Sequence, residues 1–227
     1  RIAGVSSFGV GGTNAHVLLE EASPVATVGD EFNNFPVQLI LHSAKRADTL
    51  ATNCLRLQQQ LGFETISDID LSSLAYTLQI GRTRYDHRGF SVANSKSELG
   101  ELLTKSKPNR CGQTKLTSPR NEVAFMFPGQ GSQYVWMGKN LYDHSAVFRS
   151  AMDRCSEILN RYLDRDLRDV LYPRDGNEAK AAEILRSTEF TQPAIFCVGY
   201  SLAQLWKHWG ITPSNFVGHS IGEFVAA

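Results

Sequence analysis

No uninterrupted apolar run in this sequence is long enough to cross a bilayer. The most apolar stretch, AIFCVGYSLAQLW, is interrupted and too short. Cysteine is equally sparse: the 4 residues, Cys54, Cys111, Cys155 and Cys197, are scattered without C-x-x-C spacing. That excludes a thiolate metal site or a disulfide framework and fits reduced, mostly buried thiols in a cytosolic protein. Surplus charge is also missing, because 23 basic side chains balance 23 acidic ones. A nucleic-acid binder would normally carry a basic excess, so neither nucleic acid nor membrane is an expected partner. No internal repeat or low-complexity tract interrupts the chain. What is present is ordinary globular material, 227 residues of which 42% are hydrophobic and 20% charged, enough to bury a core in one or two domains.

Composition divides the chain. Residues 1–22 read as strand, glycine-rich loop and strand (GVSSF, GVGGTN, AHVLLEE), and residues 23–36 as a connector of turn formers. Residues 37–107 read as a small α/β unit: strand VQLILHSA, helix 47–62, helix LSSLAYTLQIG, strand HRGFSVAN and a helix over 97–105. Leu50, Cys54, Leu57 and Leu61 fall on one face of the first of these helices. Residues 108–121, polar and with proline near both ends, read as a second linker. Residues 122–227 open on strand EVAFMF, followed by a helix over 141–162 and another over 193–209. Pro193 suits the first turn of the latter, and Gly210 its end. Strand NFVG then leads to a turn and a starting helix, the beginning of a parallel α/β layer. Both ends read as cut, so a piece of a longer polypeptide is expected.

Two motifs carry chemistry. In GHSIG (218–222), Ser220 stands between two glycines after apolar Phe216 and Val217. G-x-S-x-G places a serine on a sharp strand-to-helix turn, exposing its hydroxyl and aiming the next N–H, that of Ile221, at a developing oxyanion. Adjacent residues on such an elbow point apart, so His219 is not the expected base. In PGQGSQ (128–133), glycines at 129 and 131 let the backbone curl so that the Gln130 N–H can face a ligand oxygen. Each motif alone is also compatible with an ordinary glycine turn. Together, on neighbouring strands, Gln130 and Ile221 would supply both donors of an oxyanion hole. GVGGTN has neither the Lys-Ser/Thr of a phosphate loop nor the third glycine of a dinucleotide fingerprint. Arg82, Arg84 and Arg88 cluster, either as an encounter patch for an acidic partner or as a solvated strand edge balanced by Asp86.

VAFMFPGQGSQ followed by GHSIGE is similar to the malonyl-CoA:acyl carrier protein transacylases, as found in the acyltransferase domains of type I polyketide and fatty acid synthases. GVSSFGVGGTNAHVLLEEA resembles the C-terminal end of a β-ketoacyl synthase. LILHSAK and LSSLAYTLQIGRTRYDHR resemble the linker domain between ketosynthase and acyltransferase. Their order is that of a modular polyketide synthase. The fold so implied is α/β. The last strands of a thiolase-like ketosynthase (1–22) lead through the small linker domain (37–107) into the incomplete large, α/β-hydrolase-like subdomain of an acyltransferase (122–227).

The resemblance also implies roles. Ser220 matches the acylated nucleophile, with Gln130 and Ile221 as the oxyanion donors, and His219 and Gln192 are substrate-binding positions. STEFTQ (187–192) and Ile221 match the pattern that goes with malonyl rather than methylmalonyl. Val10 lies in the loop lining the ketosynthase active site, with its N–H toward the thioester carbonyl. The catalytic histidine and the carboxylate-binding arginine are expected downstream, so residues 1–227 alone are expected to be inactive and marginally stable. His16, His144 and His208 are read as structural or surface histidines. No metal and no bound cofactor are expected. Malonyl-CoA is the implied substrate, and the phosphopantetheine of an acyl carrier protein the acceptor. The rest of the synthase in the same chain and a homodimer through the ketosynthase are the implied partners. The alternatives from the residues alone are an α/β serine hydrolase, which the elbow permits, and a non-catalytic docking fragment.

Overall fold

The structure, a computed structural model, describes residues 1–22, 35–62, 70–105, 107–117, 122–174 and 176–227. Most of the connector at 23–36, and the end of the linker over 118–121, lie outside the described residues. The chain forms two units, Arg1–Asn34 and Phe35–Ala227.

The first unit is an antiparallel hairpin of β1 (Ile2–Phe8) and β2 (Asn14–Glu20), in register from Ile2 opposite Glu20 to Phe8 opposite Asn14. Its turn closes through the Gly9 N–H donating to the Thr13 carbonyl at 2.9 Å. Both faces of the ribbon are exposed, and Val10 stands at its tip. Ser6 Oγ and His16 Nδ1 pair across it at 2.7 Å, a structural use of His16.

The second unit begins with a sheet of β3 (Gln38–Ala44), β4 (His87–Ala93) and β5 (Cys111–Lys115), antiparallel in that order. Helices α1 (Ala47–Leu61), α2 (Leu71–Ile80) and α3 (Lys96–Leu102) cover it. Leu50 and Cys54 of α1 are buried, and Leu57 and Leu61 pack beside them, as their spacing predicts. Ile40, Ala93 and Leu99 complete a core without solvent access.

Strand β5 corrects the reading of 108–121 as a linker. It is an edge strand whose exposed, polar residues show no alternation, so its pairing with β4 rests on main-chain hydrogen bonds. Arg110 fixes its start by donating to the Val92 carbonyl at 3.0 Å and to Glu98 at 2.6 Å. Glu98 also accepts from the Asn94 N–H at 2.9 Å while its own N–H donates to Ser95 Oγ at 3.2 Å, a reciprocal cap on α3.

The remainder carries β6 (Ala124–Phe127), α4 (Lys139–His144), α5 (Ala146–Leu159), α6 (Leu167–Leu171), α7 (Glu178–Ile184), α8 (Thr188–His208), β7 (Asn215–Gly218) and α9 (Ile221–Ala226). Two helical expectations need correction. The helix over 141–162 is two helices, broken where Ser145 turns extended (φ −120°, ψ 112°) and its hydroxyl caps α5 by accepting from the Phe148 N–H at 3.3 Å. Arg149 donates to the carbonyls of Tyr142 and Asp143, which the end of α4 leaves free.

Helix α8 starts at Thr188, so Pro193 is interior and STEFTQ forms the entry to the helix. Proline removes one bond to the exposed Glu189 carbonyl, close enough to the helix start to be tolerated. Gly210, at φ +84°, follows the last turn as expected. Helix α8 packs on α5 around Phe148, Met152, Leu171, Ala194 and Cys197, all without solvent access.

Candidate active site

Strands β6 and β7 are parallel neighbours, Ala124 opposite Asn215 and Phe127 opposite Gly218. Phe125, Phe127 and Phe216 hold them with ring centroids 6.1–6.5 Å apart. Both strands therefore end at one level, and the loops that leave them lie side by side. The His219 N–H donates to the Phe127 carbonyl at 3.1 Å and continues the ladder one residue past β7.

Ser220 follows with φ 55° and ψ −120°, one of three non-glycine residues at positive φ among the described residues. Such a backbone costs on the order of 1–3 kcal/mol and persists only where its surroundings enforce it. Here the enforcement is close main-chain packing. A Cβ on Gly218 would fall 2.4 Å from the Glu223 Cα and N. A Cβ on Gly222 would fall 2.3 Å from the Phe127 oxygen and 2.9 Å from the Pro128 oxygen. Both glycines of the motif are therefore steric requirements: one lets α9 fold back on its strand, the other lets α9 lie against the end of β6. The turn closes through Gly222 N–H to His219 O and Glu223 N–H to Ser220 O, each 3.0 Å.

The 128–133 loop meets the elbow at Gly129, where a Cβ would fall 2.4 Å from His219 Nδ1. Within that loop the Gly131 N–H donates to Gln133 Oε1 at 2.8 Å, and Ser132 Oγ donates to the Gly129 carbonyl at 3.2 Å. Gln130 is thus carried on a braced loop one residue from a direct contact with the elbow. The N–H groups of Gln130 and Ile221 have no acceptor among the described residues. Ser220 Oγ likewise has no hydrogen-bond partner there and is exposed. The imidazole of His219 lies against Gly129, not against the serine hydroxyl.

Ser220, Ile221, His219 and the Gln130 loop come together. Gln192 sits half-buried in the second turn of α8, with no hydrogen bond to that group among the described residues. Helix α8 reaches the site further on, where a Cβ on Gly199 would touch Val225 of α9 and Phe127 at 3.4–3.5 Å. Val10 belongs to the hairpin unit. Sequence reasoning did not anticipate that His219 and Gly129 form the seam between the two loops. A G-x-G loop directly after a strand was the available signal for such a close approach.

All four cysteines are free thiols, and burial pushes the Cys54 thiol up. No group of metal-ligating side chains forms among the described residues, and no described helix is long and apolar enough to cross a membrane.

Parallel strands that end at an elbow serine, with a second glycine loop alongside, define an α/β layer built around a strand-to-helix elbow. Residues 124–227 match the family model of the acyl transferase domain, and residues 1–92 that of the ketoacyl-synthetase C-terminal extension. Over its whole length the chain is 35% identical to erythronolide synthase EryA2 of Saccharopolyspora erythraea and 38% identical to the pikromycin polyketide synthase component PikAIII of Streptomyces venezuelae. It spans 6% and 14% of those proteins. Among solved structures, the acyl transferase domain of ZmaA superposes with a TM-score of 0.75 at 38% identity, covering 85% of this chain and 44% of that one. Residues 124–227 belong to the acyl transferase domain family, and the chain as a whole is similar to a stretch of the modular type I polyketide synthases. The match over 1–92 takes in the hairpin, β3, α1, α2 and most of β4.

Proposed function

We propose that Ser220 carries an acyl group from a coenzyme A thioester to the phosphopantetheine thiol of an acyl carrier protein, and that the group is malonyl. The observation that carries this reading is the strained elbow at Ser220, with two unpartnered main-chain donors on adjoining loops. The reaction is ping-pong. Ser220 Oγ attacks the thioester carbonyl as a base removes its proton, and charge collects on the carbonyl oxygen, which the Gln130 and Ile221 N–H groups would hold. The C–S bond then breaks, coenzyme A leaves as the thiol, and the carrier thiol repeats the sequence on the Ser220 ester. His219 and Gln192 would line the acyl pocket, and half-buried Ile221 would exclude an added methyl.

Residues 1–227 alone are not expected to load, because Ser220 Oγ has no hydrogen-bonded base among the described residues. The wider assignments remain part of this proposal: a hairpin from the ketosynthase end whose Val10 N–H faces that enzyme's thioester, a linker domain that includes β5, a synthase dimerised through its ketosynthase, and a cytoplasmic setting.

The test is covalent loading of the intact synthase by radiolabelled malonyl-CoA. Ser220→Ala should abolish it while shifting stability by no more than about 0.5 kcal/mol, since an exposed hydroxyl without partners is removed. Undiminished label on that variant would remove Ser220 as nucleophile. Release of malonate to water faster than transfer to carrier protein would instead indicate a hydrolase.

A further inference from the structure

The small α/β unit holds a cleft of about 710 Å³, remote in sequence from Ser220 and unused by acyl transfer. Arg56 of α1, Arg82 and Arg84 of the turn after α2, and Arg88 of β4 line it, together with the apolar side chains of Leu57 and Leu78. None of these four guanidiniums pairs with a carboxylate among the described residues. Arg82 donates to the Gly81 carbonyl and Arg88 to the Tyr85 carbonyl, at 2.9 and 3.0 Å. Asp86, the residue that would balance them, offers its main-chain carbonyl to the Leu116 N–H, and its carboxylate takes no hydrogen bond among the described residues. Four like charges that line one cleft without a carboxylate partner favour a bound anion there.

The cleft is also built. Ser43 Oγ accepts from the Tyr85 N–H at 3.0 Å and donates to the Thr83 carbonyl at 3.1 Å, which fastens the arginine-bearing turn to β3. His42 reaches the cleft from the sheet, its ring so close over Gly89 that a Cβ there would fall 2.3 Å from Nε2. Its Nδ1 is buried and has no partner, and burial pushes the imidazole's pKa down, so the neutral ring keeps one donor and one acceptor nitrogen. Planar guanidiniums match phosphate oxygens in pairs, and the leucines offer surface to an uncharged remainder.

We infer that this cleft binds a pyrophosphate-type group, held by Arg82, Arg84 and Arg88, with the leucines open to any apolar or ring-bearing part that the ligand carries. Two sources carry that chemistry, a nucleotide-type thioester carrier such as coenzyme A and a free polyphosphate.

Calorimetric titration of the protein with inorganic pyrophosphate and, separately, with coenzyme A at low ionic strength tests the inference. Saturable binding of either probe is expected, with at least a tenfold loss in Arg84→Gln/Arg88→Gln and no change in Arg165→Gln/Arg174→Gln on the acyltransferase side. Arg84→Gln alone, an exposed change that cannot disturb the core, should show the same direction. Binding of coenzyme A but not of pyrophosphate assigns the nucleotide source, and the reverse assigns the free anion. Saturation by neither probe overturns the inference. So does saturation that all variants share, or an effect of the arginine changes on carrier-protein binding alone. Since Ser220 takes no part, Ser220→Ala should titrate as the parent does, which separates failure here from failure of the acyl-transfer reading.

Discussion

Replacing Gly222 by alanine sets two physical expectations against each other. Gly222 is the second residue of α9, and by helix propensity alone alanine would stabilise it by up to about 1 kcal/mol. The added Cβ, however, would stand 2.3 Å from the Phe127 oxygen and 2.8 Å from its carbonyl carbon. An ordinary C···O approach is about 3.3 Å, so something must move by about 1 Å. Phe127 cannot yield freely, because it lies opposite Gly218 in the parallel pair and accepts from the His219 N–H. Overpacking that shifts backbone costs about 1–3 kcal/mol or more, so the net effect is destabilisation near the upper part of that range. For a chain of this size each kcal/mol moves the unfolding midpoint by about 2–4 °C. Gly199→Ala is the matched control: it also adds a methyl to a helix, but meets Val225 and Phe127 at an ordinary 3.4–3.6 Å and should leave the midpoint level or raise it. Circular dichroism melts of the two variants give the comparison, and covalent loading in the intact synthase should fall with Gly222→Ala and not with Gly199→Ala. A Gly222→Ala midpoint at or above the parent's would refute the argument that main-chain contact holds the elbow.

Phe148→Ala removes a fully buried ring between α5 and α8 and should cost about 3–5 kcal/mol, read from urea denaturation. The Arg168 side chain, hydrogen-bonded to Asp166, holds the Asp166 carboxyl down at about 2 against an ordinary 3.8. This stabilisation is therefore full above about pH 4 and is lost as the pH falls through 2. Asp166→Asn keeps a capping side chain at the start of α6, so it should flatten the midpoint–pH curve across that window without moving the end of α6. In competition between malonyl-CoA and methylmalonyl-CoA, the synthase should load malonyl about 10–200-fold faster, the range one methyl can command. A preference for methylmalonyl would remove Ile221 and Gln192 as selectors.

Most regular elements were legible because their burial is local and periodic. The spacing of Leu50, Cys54, Leu57 and Leu61 answers to a face packed on one neighbour. What escaped was set by partners distant in sequence or by a competing local bond. Strand β5 exists through its ladder to β4 and through Arg110 reaching Glu98 and Val92, none of which an exposed polar strand advertises. The break at Ser145 falls where a hydroxyl cap and Arg149 outweigh continued helix. Helices α6 and α7, with 5 and 7 residues, are too short for periodicity to stand out.

The candidate site was more legible than its surroundings for a reason that follows from its construction. The donors proposed for it are main-chain N–H groups and its geometry is held by close packing at Gly129, Gly218 and Gly222, so what it demands of the sequence is those three absent side chains plus one hydroxyl. Absences at fixed spacing survive as a motif, whereas a pocket wall can be built from many residue combinations. The same logic explains why selectivity is harder to read than nucleophilicity. Gln192 enters the second turn of α8, while the helix meets the elbow near Gly199, seven residues on and therefore about 10 Å further along. Any influence of STEFTQ on the acyl group must then act through the acyl chain's far end or through the placement of α8, not by touching the reacting carbonyl. Gln192→Ala should accordingly alter the malonyl-to-methylmalonyl ratio more than the rate of malonyl loading itself. An equal fall in loading of both groups would put Gln192 beside the reacting centre instead.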